Sequence, residues 1–429
     1  MGPKINLKSE FVKNVATVMT GTAFSQVVAL AVTPILTRNY IPEDFGFLLI
    51  YISILSIIGT MSTGKFEQAI LLVSEKDALK KLVYISFSIS VGVSLVLGAV
   101  LFFGKKLLIR YLELDVTLYS WLYTLTGLII IYSFYTVFSV ILNLQKRFKR
   151  LTVAKMIKSI TSVIISLVCI FFLKDARGLI LGEFMGYLFA TIFVIAVNKE
   201  MFIFKKETRK GSLQIAKRYK NFPLFNIPSE FMNMASAQMP VFFLTTYFGP
   251  TITGFYSLMK RVLDAPINLF SKSILEVFRQ KAAEQYVIQG ECKKLFKSTA
   301  KHLFLIAIIP FTTLFFLAPQ LFSFVFGEEW YIAGEYAKIF AVFYFFKFVS
   351  SPLSYMFYIA EKQKIDFLLH LYIFFSSIII LNLPIAIDIN DEKMLWIYCI
   401  NFIFIYLLYF FISLKLASGK NDFDKTKFV

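Results

Sequence analysis

The chain has 429 residues, of which 58% are hydrophobic and 17% aromatic, while charged residues make up only 17%. A soluble domain has about 25% charged residues, so this composition excludes a soluble globular protein and predicts a polytopic membrane protein. The formal net charge of +18 would suggest a nucleic-acid partner in a soluble chain. No nucleic-acid-binding motif accompanies it, so we expect no nucleic acid to bind and attribute the charge to membrane topology.

Hydropathy predicts an all-α fold with about twelve transmembrane helices. The first apolar run is too long for a signal peptide, so it is predicted to be an uncleaved span. The spans are expected at residues 14–36, 45–63, 82–103, 118–142, 156–173, 178–198, 222–248, 251–276, 303–327, 334–360, 367–387 and 394–414.

Lysine and arginine are distributed unevenly between the two sides of these spans. Of the 45 such residues, 32 fall on the side of the N-terminus and 7 on the opposite side. The positive-inside rule therefore predicts that both termini are cytoplasmic and that the number of spans is even. The same rule explains most of the net charge without a polyanionic partner.

The longest predicted cytoplasmic loop, 199–221, divides the spans into two sets of six. We expect an N-terminal six-helix bundle at 1–198, the linker at 199–221, a C-terminal six-helix bundle at 222–414 and a cytoplasmic tail at 415–429. Two such bundles around a central cavity are a common plan for transporters, with the substrate site near the midplane. No sequence repeat relates the halves, so this symmetry is inferred from the number of helices.

Residues 221–281 place polar side chains where a bilayer should exclude them. The apolar run at 222–248 carries Asn226, Glu230 and Asn233 at i, i+4, i+7. On the second run, five polar residues fall on one predicted helical face, namely Arg261, Asp264, Asn268, Lys272 and Glu276. A charge at membrane depth costs about 2.5–3.5 kcal/mol, so this stripe should face protein or water. A water-filled binding cavity is the favoured interpretation, and a structural ion-pair ladder between helices is the alternative.

Four further charges lie within predicted spans. Lys347 is too far from either end of its span to snorkel, whereas Lys338 points to the opposite face, so only one of them is expected to face a central cavity. We expect Lys158 to snorkel to the cytoplasmic edge and Glu183 to meet water near the outer end of its helix.

Catalytic chemistry is not indicated. The stretch from Gly59 to Phe66 approaches a phosphate-binding loop, but its last position is Phe instead of Ser or Thr, and it follows a membrane helix. The three cysteines lie far apart without metal or disulfide spacing. The sequence therefore predicts no cofactor, no metal site and no enzymatic activity. Uphill work would draw on an ion gradient, the membrane potential or removal of product.

Several strings, taken in order, resemble the polysaccharide-biosynthesis flippases, the O-antigen and capsule repeat-unit translocases of the multidrug/oligosaccharidyl-lipid/polysaccharide (MOP) exporter superfamily. They are Thr17-Val-Met-Thr-Gly-Thr22, Leu36-Thr-Arg-Asn-Tyr-Ile-Pro-Glu-Asp-Phe-Gly46, Lys65-Phe-Glu-Gln-Ala-Ile70, Phe248-Gly-Pro-Thr-Ile-Thr-Gly-Phe-Tyr256, Val325-Phe-Gly-Glu-Glu-Trp330 and Ser351-Pro-Leu-Ser354. The resemblance covers about residues 17–354. One departure is Lys65, where the family pattern more often has arginine, so the charge is kept without the bidentate geometry.

The resemblance implies that the substrate is an undecaprenyl-pyrophosphate-linked oligosaccharide, moved across the inner membrane of a bacterium. A pyrophosphate in transit needs cations, and the candidates are Arg261, Lys272, Lys347, Lys260, Lys338 and Arg38. The candidate counter-ions, or carriers of a coupling proton or Na⁺, are Glu230, Asp264, Glu276 and Glu67. A monomer is expected, with the lipid bilayer and polymerase or chain-length proteins of the pathway as partners.

Two rival functions stay open. An ion-coupled drug or cation antiporter of the same superfamily would need a cavity dominated by carboxylates, yet the mid-span cations match or outnumber the mid-span carboxylates here. A membrane polymerase or ligase would need a large outer loop, and the predicted outer loops are short.

Overall fold

The computed structural model describes residues 7–73, 75–112, 115–202 and 211–419. Its side chains are described from Thr20 onward, with the exceptions of Phe202, Pro266, Asn268, Lys272 and Ser273. Within these ranges the chain is helical and contains no β-strand. It divides into two compact units, Met1–Gly254 and Phe255–Val429.

The first unit contains long apolar helices joined by short connections. Its α-helices are α1 (Leu7–Thr37), α2 (Pro42–Met61), α3 (Phe66–Ile70), α4 (Lys76–Phe103), α5 (Lys105–Tyr111), α6 (Val116–Leu122), α7 (Thr124–Leu144), α8 (Phe148–Cys169), α9 (Ala176–Val197), α10 (Lys199–Phe202) and α11 (Ser212–Arg218). A π-helical segment, Phe222–Asn226, leads into α12 (Ile227–Pro266), within which the first unit ends.

Buried aliphatic and aromatic side chains from α3, α4 and α7 form one core of this unit. Leu82, Val83, Phe138 and Ile141 are fully buried there, and Phe66 from α3 is 4% exposed. This packing fixes the short helix α3, and with it the turn between α2 and α3, against the longer helices. The turn carries the polar residues Thr63 and Lys65.

Gly249 breaks α12 into two helical halves, 227–248 and 250–266. Its backbone φ of 83° and ψ of 172° lie far from helical values and in a region that favours glycine. The next residue, Pro250, suits the first turn of a new helix because it has no N–H to leave unpaired. The break falls between the predicted spans 222–248 and 251–276.

The second unit continues after Gly254. A π-helical segment, Ile267–Ser271, follows α12, and the remaining α-helices are α13 (Lys272–Gln289), α14 (Lys293–Phe326), α15 (Tyr331–Ser350), α16 (Met356–Ile359), α17 (Gln363–Leu381), α18 (Leu383–Ala386) and α19 (Asp391–Ala417). Single turns of 3-10 helix precede α15 and α16, at Glu328–Trp330 and Leu353–Tyr355. Aromatic contacts fill its core, as in the edge-to-face pair of Tyr256 and Phe340, with ring centroids 5.7 Å apart.

Nine helical segments in the described ranges are long and apolar enough to cross a membrane. A tenth is added if Glu328–Ser350 and Leu353–Ile359, which meet at a bend of 43°, count as one span. The predicted spans at 222–248 and 251–276 are not among them, although the chain is helical there, mostly as α12. Their polar residues make the two halves of α12 less apolar than the other spans.

The predicted stripe of five polar residues on one helix is wrong as a continuous feature. The π-helical segment Ile267–Ser271 separates Arg261 and Asp264 from Glu276. Because a π-helix has i→i+5 hydrogen bonds, it rotates all later side chains relative to a continuous α-helix. The side chains of Asn268 and Lys272 lie outside the described part of the chain.

Candidate functional site

Asp264 lies between two lysines in the second unit. Its carboxylate is 3.1 Å from Lys260 Nζ and 3.8 Å from Lys347 Nζ. The Tyr344 hydroxyl donates a hydrogen bond to the same carboxylate at 2.7 Å. We call these four residues the lysine cluster. The side chains of both lysines and of Asp264 are each about one quarter exposed.

Local helical geometry explains how the lysine cluster assembles. Lys260 and Asp264 are one turn apart on the second half of α12, where i and i+4 side chains meet. Lys347 comes from the last turn of α15, just before the bend at residues 351–352. Its ammonium also lies 4.8 Å from the ring centroid of Tyr344, in a cation–π contact.

The lysine cluster carries one more positive charge than negative charge. Asp264 neutralises one ammonium, so a second anion is needed for balance. Lysine ammonium groups bind phosphate through charge-assisted hydrogen bonds, which are about twice as strong as neutral ones. The cluster is therefore suited to an anionic ligand that displaces or joins Asp264.

A second group of charges lies in the first unit, which we call the glutamate cluster. Lys65 forms an ion pair with Glu230 and lies 3.9 Å from Glu67. The Thr63 hydroxyl donates to Glu67 at 2.5 Å. Gln68 donates its amide to Glu230 at 2.9 Å. Lys65 and Glu67 are buried, whereas the Glu230 side chain is 38% exposed.

The turn between α2 and α3 aims these side chains. Lys65 has a left-handed backbone with φ of 59°, and Gly64 before it has φ of 63°. Left-handed backbone in a residue other than glycine is uncommon and marks a constrained position. Here the conformation turns the chain between the two helices and directs Lys65 toward the start of α12.

Burial sets the protonation of the glutamate cluster. The pKa of Glu67 is raised above its ordinary value chiefly because the carboxylate is removed from water. The hydrogen bond from Thr63 and the charge of Lys65 oppose this rise, while the neighbouring Glu230 adds to it. Burial and the second carboxylate thus make Glu67 easier to protonate than an exposed glutamate.

A third pair corrects two expectations about mid-span charges. The ammonium of Lys158 on α8 lies 2.7 Å from the Glu183 carboxylate on α9, so this lysine is paired within the protein and does not extend alone. Glu183 is 12% exposed at its side chain and is therefore mostly shielded from water. Two opposite charges within apolar helices each lower the cost of placing the other at membrane depth.

The other predicted site residues lie apart from the lysine cluster or make other contacts. Lys338 pairs with Glu335 on its own helix at 3.6 Å. Glu276 pairs with Arg279 at 2.5 Å. Arg38 is exposed directly after α1, and Arg261 is half-buried beside Lys260 on the helix. Lys272 lies outside the described side chains.

The sequence did not single out Lys65, Lys158 and Glu183 as members of charged groups. A detectable signal was present for the last two, because opposite charges occur within consecutive apolar helices joined by a short loop. The partner of Lys65 is Glu230, 165 residues away, so no local sequence pattern predicts the pair. Within the described residues, no three histidine, cysteine, aspartate or glutamate side chains are grouped as a metal site.

Comparison with solved structures places the fold among membrane transporters. A structure of the lipid II flippase MurJ in an inward closed conformation matches with a TM-score of 0.72 and 18% identity, covering 93% of this chain and 87% of that chain. An inward-facing multidrug resistance MATE family transporter of the MOP superfamily matches with a TM-score of 0.68 and 14% identity, covering 92% and 96%. The MATE multidrug transporter DinF-BH matches with a TM-score of 0.65 and 17% identity, covering 97% and 96%.

No curated protein sequence matches the chain. The family model described as polysaccharide biosynthesis protein matches residues 35–334. That range is well over half of the sequence and includes the glutamate cluster, Lys158, Glu183, Lys260 and Asp264. The chain therefore belongs to the polysaccharide biosynthesis protein family, and it is a polytopic membrane protein with the fold of the MOP superfamily transporters.

Proposed function

We propose that this protein is a flippase that moves undecaprenyl-pyrophosphate-linked oligosaccharide repeat units from the cytoplasmic to the outer leaflet. The product would be used for surface polysaccharide, such as O-antigen or capsule. The observation that supports this most directly is the lysine cluster, in which two lysines share one aspartate at 3.1 and 3.8 Å within a membrane-embedded unit. Membership of the polysaccharide biosynthesis family supports the same substrate class.

The chemistry of the lysine cluster suits the pyrophosphate. In the empty state Asp264 holds the two ammonium groups together and reduces their mutual repulsion. An incoming pyrophosphate offers several anionic oxygens, so it satisfies both lysines and compensates the excess positive charge. Arg261 on the adjacent helical position would add a further cation. The oligosaccharide follows the pyrophosphate, and the lipid tail stays in the bilayer.

The distribution of basic residues supports the proposed orientation. With both termini in the cytoplasm, 32 of the 45 lysine and arginine residues lie on the cytoplasmic side. The protein would then lie in the inner membrane of a bacterium. The glutamate cluster would carry the coupling proton, since Glu67 is buried beside a second carboxylate and a single lysine.

The test uses cells that lack this protein. Lipid-linked oligosaccharide is labelled, and the leaflet that holds it is determined from its accessibility to a membrane-impermeant probe. We expect finished repeat units to accumulate on the cytoplasmic face. Wild-type protein should clear them, and the double variant Lys260→Ala/Lys347→Ala should not. Normal export with no accumulation would contradict the proposal.

The drug or cation antiporter is the second candidate, because solved multidrug MATE transporters share the fold. An antiporter would leave the lipid-linked oligosaccharide correctly distributed in the deletion strain. It would instead change the sensitivity of that strain to organic cations. Measuring both quantities in the same strain separates the two functions.

A further inference from the structure

Helices α8 and α9 lie unusually close together in the first unit. A Cβ atom added at Gly182 would lie 2.1 Å from Ser166 Oγ, and one added at Gly186 would lie 2.7 Å from the carbonyl oxygen of Lys158. Both distances are too short for any larger residue. The two glycines therefore allow direct contact between the helices, as small residues do in membrane proteins.

This contact brings an ammonium group, a carboxylate and a hydroxyl group together beside a tyrosine ring. Lys158 Nζ lies 2.7 Å from Glu183 Oε1, and Ser162 Oγ donates to Glu183 Oε2 at 3.4 Å. The same ammonium lies 4.7 Å from the ring centroid of Tyr187. Lys158 keeps 26% of its side chain exposed. Because a charged group at membrane depth avoids lipid, this exposed part should face water.

Three tyrosine rings, those of Tyr132, Tyr135 and Tyr187, pack together next to the pair of Lys158 and Glu183. Tyr132 and Tyr135 on α7 pack edge to face against Tyr187, with ring centroids 5.4 and 5.7 Å away. All three rings are half-buried, so they present aromatic surface without being fully enclosed. We call Lys158, Glu183 and these three tyrosines the tyrosine patch.

The charges of the tyrosine patch select a neutral ligand. Lys158 already occupies the cation position over Tyr187, which disfavours a cationic ligand. Glu183 beside the ammonium likewise repels an anion, in contrast to the lysine cluster with its excess of lysine. A neutral ligand with many hydroxyl groups is compatible with both, since the ammonium donates hydrogen bonds and the carboxylate accepts them. Its apolar C–H face would pack on the tyrosine rings.

We propose that the tyrosine patch is a carbohydrate-binding subsite that holds sugar residues of the translocated lipid-linked oligosaccharide. The inference rests on the proposed flippase function, and it concerns only the neutral, sugar-bearing part of that substrate and residues of the first unit.

The competing explanation is that the ion pair between Lys158 and Glu183 only links α8 to α9 and binds no ligand. In that case its removal would lower stability and would weaken the binding of all ligands equally. A sugar subsite predicts instead that binding changes only for ligands that carry sugar. The two roles therefore differ in selectivity, which is measurable.

The test uses purified full-length protein in lipid nanodiscs and two probes. One probe is undecaprenyl pyrophosphate without sugar, and the other is the undecaprenyl-pyrophosphate-linked oligosaccharide extracted from the deletion strain. We expect Tyr187→Leu to weaken binding of the sugar-bearing lipid about tenfold and to leave the sugar-free lipid within about twofold. The matched control Tyr187→Phe retains the ring and should retain most of the binding of both lipids.

A second variant keeps the test valid if Tyr187→Leu does not fold, as judged by its thermal unfolding. The double variant Lys158→Gln/Glu183→Gln removes both charges at nearly constant volume, and we expect the same selective loss. Equal weakening of both lipids, or unchanged binding of both, would overturn the sugar subsite while the flippase proposal stands. If wild-type protein binds neither lipid better than it binds phosphatidylglycerol, both proposals fail.

Discussion

The lysine cluster and the tyrosine patch use the same kinds of charged groups in different proportions. In the lysine cluster, two lysines within 4 Å share Asp264. In the tyrosine patch, Lys158 and Glu183 form a one-to-one pair at 2.7 Å. Both are set among aromatic rings, and in both a lysine ammonium lies over a tyrosine.

The two clusters therefore differ in charge balance, because one carboxylate faces two lysines in the lysine cluster and one lysine in the tyrosine patch. A balanced pair is internally satisfied, so removing one partner leaves a charge without compensation. An unbalanced cluster gains a partner when an anion binds. Changing the balance of lysines and carboxylates, in the lysine cluster and in the glutamate cluster, tests what that balance does.

The largest effect is expected from removing both cations of the lysine cluster. Under the proposed function, Lys260→Met/Lys347→Met would delete two charge-assisted bonds to the pyrophosphate, each worth about 1.5–3 kcal/mol, so translocation should fall by about a hundredfold or more. The rate at which labelled lipid-linked oligosaccharide reaches the outer leaflet measures this. Lys338→Met is the matched control, because Lys338 pairs with Glu335 instead, and it should reduce the rate less than about twofold. Comparable losses in both variants would remove the distinction between these lysines.

Removing the carboxylate of the lysine cluster should destabilise the protein in a way that an anion reverses. Asp264→Asn leaves two ammonium groups without their shared counter-charge, which should cost about 1–3 kcal/mol because the groups are only partly exposed. Thermal unfolding with and without inorganic pyrophosphate measures the change. We expect pyrophosphate to restore more stability to the variant than it adds to the wild type. Equal stabilisation of both proteins would show that pyrophosphate does not replace Asp264.

A smaller loss is expected from the glutamate cluster. Glu230→Gln leaves Lys65 with Glu67 as its remaining carboxylate neighbour, and stability should fall by about 1–2 kcal/mol. The Glu230 side chain is 38% exposed, so water compensates part of the loss. Glu200→Gln is the matched control, because Lys76 and Glu200 form an exposed pair whose removal should change stability by less than about 0.5 kcal/mol. If the two variants lose the same stability, the burial of Lys65 has no energetic consequence.

The smallest effect concerns pH. Because burial raises the pKa of Glu67 in the folded state, the folded protein retains a proton that the unfolded chain releases. The stability contributed by this proton is present below the unfolded pKa and is lost as pH rises through the folded pKa. Glu67→Gln mimics the protonated form, so its melting temperature should fall less than that of wild type as the pH rises above the ordinary pKa of a glutamate. Parallel curves for the two proteins would contradict a proton on Glu67.

The helical structure and the break within α12 were predictable from the sequence because both depend on local composition. Apolar runs longer than a bilayer is thick indicated the spans, and the sequence Phe248-Gly-Pro indicated the break in α12. The π-helical segment at Ile267–Ser271 was not predictable, since it has no distinctive local composition. Its presence changes which side chains share a face after Pro266.

Pairings of charges were harder to predict, because they depend on tertiary packing. Asp264 was identified as a counter-ion, yet only the structure assigns it to Lys260 and Lys347 together. Lys158 was expected to snorkel because its helix was considered alone. Its partner Glu183 lies on the next helix, and two glycines bring the helices into contact. Opposite charges within consecutive apolar helices therefore predict an ion pair between the two helices better than they predict two separate exposed charges.

The polarity of α12 has a consequence for how the protein is made. Segment 227–248 is not apolar enough to count among the strong spans, so it should enter a membrane poorly by itself. Its polar residues Glu230 and Gln238 bind Lys65 and Ser53 in segments that leave the ribosome 165 and 185 residues earlier. If the helices enter the membrane in chain order, those partners precede the segment there. We therefore expect a truncated chain that begins after them to insert residues 227–248 less efficiently than the full chain.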